Sequence, residues 1–85
     1  MKLTTTEIEK LNGALKLRGT RPIGVDRNGM IWARCHGYGE TAEELDRAMD
    51  AADKVIAQLG YERNEDCSIF RQGLDFGQSL RRRRP

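Results

Sequence analysis

Eighty-five residues with 15 basic and 13 acidic side chains, 38 % hydrophobic and a formal charge of +2, bound one small domain whose core must be modest. Leu, Ile, Val and Phe number 17, a fifth of the chain; that lies at the edge of disorder, but disorder also needs a charge imbalance that +2 does not supply. Two cysteines are too few for a secreted disulfide scaffold, no apolar run approaches a membrane span, and Met1-Lys2-Leu3-Thr4-Thr5-Thr6 has no hydrophobic signal core, so the expected setting is a reducing cytoplasm with no membrane partner.

Thr6 with Glu9 makes a capping box, and Ile8, Leu11, Ala14 and Leu15 follow at helical spacing up to Gly19. The spacing predicts a first helix from about Glu7 to Leu17, weakened by roughly 1 kcal/mol at Gly13 and so dependent on packing.

Asp26-Arg27-Asn28-Gly29 is a hairpin turn signal at the centre of residues 20–39. A two-residue loop would set Val25 opposite Trp32 and mix the faces. A three-residue loop with Gly29 left-handed sets Val25 opposite Ile31 and Ile23 opposite Ala33, with Cys35 next along. Only the second register makes one face uniformly apolar, so it is the expected one. The other face then carries Met30, Trp32, Arg34 and His36, with Gly24 across from Trp32, where a strand glycine lets an indole lie flat.

The stretch 41–60 carries the strongest periodicity. Leu45, Ala48, Met49, Ala52, Val55, Ile56 and Leu59 form one stripe, Thr41 with Glu44 is a capping box, and Gly60 stands where a left-handed cap is usual. One helix about 18 residues long, roughly 27 Å, is predicted. Its opposite face bears Glu43, Glu44, Asp46, Asp50 and Asp53 against only Arg47 and Lys54.

Beyond Gly60 the pattern weakens. Tyr61 is expected to pack back on the helix end, Asn64-Glu65-Asp66 is turn-like, Cys67–Arg71 reads as a short third strand with Ile69 inward, and residues 73–77 read as irregular. Arg81, Arg82, Arg83 and Arg84 are four adjacent like charges, expected with Pro85 to form a mobile tail outside a domain of residues 1–80. The expected fold class is α+β: helix, β-hairpin, long amphipathic helix, a short third strand, then the basic tail.

Charge is segregated along the chain: residues 1–39 sum to +4, residues 40–66 to −6 and residues 67–85 to +4. Metal binding finds little support, because Cys35, His36 and Cys67 lack a Cys-x-x-Cys pair and a fourth ligand. Gly37-Tyr38-Gly39 precedes a helix, but Glu40, Glu43 and Glu44 would repel a phosphate there. His36 is the only plausible general base, without a nucleophile or orienting acid in sequence reach. No enzyme activity, small-molecule substrate or cofactor is expected.

Two binding readings remain. A small protein-binding module, acting as adaptor, regulator or inhibitor of the kind phages and other mobile elements encode, would use Met30, Trp32, Arg34 and His36 together with the acidic helix residues Glu43, Asp46, Asp50 and Asp53, and its complementary patches suit pairing of two copies as well. A nucleic-acid binder would use Arg21, Arg27, Trp32, Arg34 and the Arg81–Arg84 run.

Overall fold

The computed structural model describes residues 1–21 and 23–84. It contains three helices and five strands: α1 (Thr5–Leu17), β1 (Ile23–Val25), β2 (Met30–Arg34), α2 (Ala42–Ala48), α3 (Asp50–Gln58), β3 (Tyr61–Arg63), β4 (Phe70–Gln72) and β5 (Asp75–Arg82). All pairings are antiparallel, the fold is α+β, and the helices cover one face of a curled sheet.

The first helix starts two residues earlier than the Thr6–Glu9 box predicts. Thr4 is the cap: its hydroxyl accepts from the Glu7 N–H while the Glu7 carboxylate accepts from the Thr4 N–H. Both pairs have the same spacing, and the choice falls to Thr4 because Leu3, just ahead of it, is buried and its N–H donates to the Arg27 carbonyl at 3.0 Å. Leu11 and Leu15 form the buried stripe of α1.

The hairpin adopts the three-residue-loop register. Val25 pairs with Ile31, Gly24 with Trp32 and Ile23 with Ala33, and Gly29 has φ +80°. Asp26 organises the turn, its carboxylate accepting from the N–H groups of Asn28 (2.9 Å) and Met30 (3.0 Å). Val25, Ile31, Ala33 and Cys35 are all buried beneath the helices.

The stripe over 41–60 is formed by two helices instead of one. Thr41 and Glu44 make the predicted capping box and Gly60 has φ +92°, but Met49 has ψ −7°, and its N–H is shared between the carbonyls of Leu45 and Asp46. This tightened turn interrupts the α-helical geometry between α2 and α3. Leu45 and Met49 before it and Ala52, Val55 and Ile56 after it all reach the core of a sheet that is not flat.

The largest departure lies after Gly60, where one short strand was expected at Cys67–Arg71 and three strands form. The centre of the sheet is β5, which begins inside the stretch read as irregular. It pairs with β2 along one edge (Trp32↔Gly77, Ala33↔Phe76), and with β4 and then β3 along the other. Gly73, at φ +61°, and Leu74 make the two-residue turn between β4 and β5. Phe76, Gln78 and Leu80 alternate inward, and the polar member is satisfied: the Gln78 amide faces the carbonyls of Asn64 (3.4 Å) and Cys67 (3.5 Å) and its oxygen accepts from Arg63 (3.3 Å). Ile69 is partly buried against the core, as expected of it, although it precedes β4.

The strand runs two residues past the boundary expected at 80. Arg82 pairs with Tyr61 and Arg81 with Glu62. Strand alternation sends these adjacent cations to opposite faces, so the repulsion that suggested a tail is avoided. Arg81 meets Glu62 (3.0 Å) and Asp66 (3.2 Å), whereas Arg82 meets Glu7 (3.0 Å) and lies over the Tyr61 ring. Pro85 of the expected tail is outside the described residues.

Candidate functional site: the uncovered sheet face

Met30, Trp32 and Arg34 share the face of β2 turned away from the helices, beside Ser79, Gly77 and Asp75 of β5. The indole lies over Gly77 and not over Gly24: a Cβ on Gly77 would meet the ring at 2.8 Å, while one on Gly24 would meet only the Asn12 side chain. Trp32 Nε1 donates to Asp26 Oδ2 at 2.8 Å, which ties the ring to the hairpin turn. Phe70 of β4, also opposite Gly77, stands edge-on to the indole with centroids 6.2 Å apart, and is 53 % exposed.

Phe70 was absent from the residues read from the sequence as candidates. Its signal was present: with Ile69 inward, alternation turns Phe70 outward. What the sequence did not disclose is that β5 brings it beside Trp32.

His36 does not join this face. It follows the end of β2 in a cluster with Arg21 and Glu40, where Glu40 accepts from the His36 N–H (2.9 Å) and from Arg21 (2.8 Å). The His36 N–H, then Arg21, hold the Glu40 carboxyl below its usual pKa against the opposing effect of burial. Glu40 thereby fixes the loop between β2 and α2. A similar clasp joins α1 to the C-terminal strands: Tyr61 donates to Glu7, lowering the carboxyl's pKa, with the Thr4 N–H and Arg82 acting in the same direction.

The acidic helix residues divide. Asp46 and Asp53 receive Arg63 of β3 at 2.7 and 2.6 Å, and the Arg63 side chain is only 10 % exposed. Burial works against its charge, but the hydrogen bonds to Asp53 and Asp46 outweigh it and raise the guanidinium pKa. Two of the four candidate acids are therefore neutralised by Arg63, although the Asp46 side chain is still 61 % exposed, while Glu43 and Asp50 are exposed and in no ion pair among the described residues.

The basic candidates are also distributed. Arg21 is engaged by Glu40, Arg34 by Asp75 (3.0 Å), Arg81 by Glu62 and Arg82 by Glu7. Arg27 lies at the hairpin turn, which β5 meets through the Leu80 N–H and the Gly29 carbonyl (2.8 Å), so it shares one end of the sheet with Arg83 and Arg84. At the opposite end Arg71 donates to the Tyr38 carbonyl (3.1 Å) and lies over the Phe76 and Tyr38 rings.

Cys35 is buried and Cys67 exposed, and among the described residues no group of three or more His, Cys, Asp or Glu side chains converges on a metal-sized site. No described helix is long and apolar enough to cross a membrane. Set against known proteins, the chain matches no family model, no curated protein and no solved structure.

Proposed function

We propose that the chain is a small non-enzymatic protein-binding module, an adaptor, regulator or inhibitor, whose main contact surface is the helix-free sheet face around Trp32 and Phe70. The observation that supports this reading is the aromatic pair over Gly77, extended by Met30, on the one sheet face the helices leave uncovered. A wet sheet face ordinarily presents polar side chains, whereas aromatic residues and Met are enriched where proteins meet. The flanking charge is balanced: Arg34 has Asp75 and Arg81 has Glu62 and Asp66. Such a surface suits the apolar centre and polar rim of a protein interface more than a phosphate backbone, which is bound by cations free to replace counterions.

The test is affinity capture from nuclease-treated bacterial lysate, comparing the wild type with Trp32→Ala and Phe70→Ala. A partner protein held by the wild type and released by both substitutions supports the reading, with each costing about 2 kcal/mol in binding if the pair is a hot spot. Equal retention by all three proteins would sink it.

Nucleic-acid binding is the second reading, supported by the grouping of Arg27 with Arg83 and Arg84 at one end of the sheet. In that case capture is lost on nuclease treatment, and the affinity falls steeply with salt.

A further inference from the structure

The two edges of the sheet are treated differently. In β1 the outward-facing N–H of Val25 is capped by the Asn12 side chain at 2.8 Å, which blocks a further strand. In β3 the Asn64 N–H donates to Ser79 and the Gly60 carbonyl accepts from Arg83, so residues 60, 62 and 64 turn their backbone groups toward β5. By alternation the N–H and C=O groups of Tyr61 and Arg63 turn outward, and among the described residues no backbone partner receives them. An open groove of about 380 Å³ runs along this edge, between β3 and Asp53, Lys54 and Ala57 of α3. An unpaired edge is a template for strand addition.

From this geometry we infer that β3 is a self-association edge, on which a second copy of the chain adds its own β3 antiparallel about a two-fold axis at Glu62. Tyr61 then lies opposite Arg63 of the second copy and the reverse, each pair exchanging two backbone hydrogen bonds. Charge favours this occupant. Arg83, which bonds Gly60, stands at one end of the groove, and Glu65, just beyond Asn64, belongs to the other; neither side chain is in an ion pair among the described residues. The two-fold brings the Arg83 end of each copy to the Glu65 end of the other. Glu62 meets its own copy at the axis, but each carboxylate is already paired with Arg81 at 3.0 Å. The pairing surface is separate from Trp32 and Phe70, so the dimer would carry two copies of the uncovered face.

Sedimentation equilibrium over a concentration series reaching about 1 mM tests this, since a three-residue edge gives a weak dimer. A concentration-dependent dimer is expected for the wild type. Arg83→Glu and Glu65→Arg each place like charges across both symmetry-related contacts and should weaken it by about tenfold. An equimolar mixture of the two variants restores opposite charges at both contacts, so it should form a heterodimer of near wild-type affinity. A misfolded variant could not produce that recovery. A wild type monomeric throughout the series, single variants that dimerise as the wild type does, or a mixture no stronger than its components would each overturn the inference.

Discussion

The ring of Trp32 lies against the α-carbon of Gly77, 45 positions later in the chain, so closely that a Cβ added there would sit 2.8 Å from the indole. Gly77 has an ordinary negative-side backbone, since the positive-φ glycines are Gly19, Gly29, Gly60 and Gly73. Its requirement is therefore spatial. Gly77→Ala should cost about 1–3 kcal/mol by overpacking. The same substitution in a Trp32→Ala background should cost distinctly less, because the neighbour that made the methyl intolerable is gone. Denaturant melts of the four proteins in this cycle measure the coupling, and additive losses would show that the indole is not what excludes the methyl.

Gly29 is constrained twice. Its φ of +80° disfavours any side chain, and a Cβ would overlap the carbonyl oxygen of Met1. Gly29→Ala is expected to lose more than the roughly 1 kcal/mol of the backbone term alone. Deleting Met1 and Lys2 in the same variant should recover part of that loss. An unchanged thermal midpoint for Gly29→Ala would contradict both constraints.

The C-terminal arginines are expected to contribute unequally to stability, Arg84 least. Removing residues 84–85 takes away no ladder bond among the described residues and should leave the midpoint nearly unchanged. Removing 81–85 deletes the hydrogen-bonded pair Glu62↔Arg81, the bond from the Arg83 N–H to the Gly60 carbonyl and the ion pairs to Glu62, Asp66 and Glu7. That should cost roughly 3 kcal/mol, about the sum of three net hydrogen bonds and weak surface pairs. Equal midpoints for the two truncations would mean that the end of β5 contributes nothing to stability.

Acid should unfold the protein partly through Glu40 and Glu7. Both carboxyls have folded-state pKa values held below the ordinary range, by the His36 N–H and Arg21 in one case and chiefly by Tyr61 in the other. A depressed carboxyl pKa contributes stability that is complete above the unfolded value of about 4.3 and is lost as the pH falls through the lower folded value. Glu40→Gln is therefore predicted to flatten the fall in midpoint below that pH while lowering stability at neutrality. A variant whose acid limb runs parallel to that of the wild type would exclude Glu40 as a contributor.

The features legible in the sequence were those set by neighbours in the chain. Gly29 and the alternation of Val25, Ile31 and Ala33 were enough to select the hairpin register, and Thr41, Glu44 and Gly60 marked the ends of the apolar stripe, because caps and turns are satisfied within a few residues. The position of β5 was not legible. Gln78 interrupts its inward apolar face, Gly77 lowers its strand propensity, and its end is a run of arginines, so each local indicator opposed a central strand. Distant residues reverse those indicators: Arg63 and the carbonyls of Asn64 and Cys67 satisfy Gln78, Trp32 fills the space that Gly77 leaves, and Glu62, Asp66 and Glu7 receive Arg81 and Arg82. The candidate face has the same origin. Trp32 was visible as an outward residue of a hairpin, but its meeting with Phe70 depends on two pairings made by one strand, and the pairing of Asp46 and Asp53 with a cation depends on where β3 places Arg63. Hydrogen-bond ladders and buried ion pairs between distant segments leave no period in the sequence, and only the assembled sheet brings their members together.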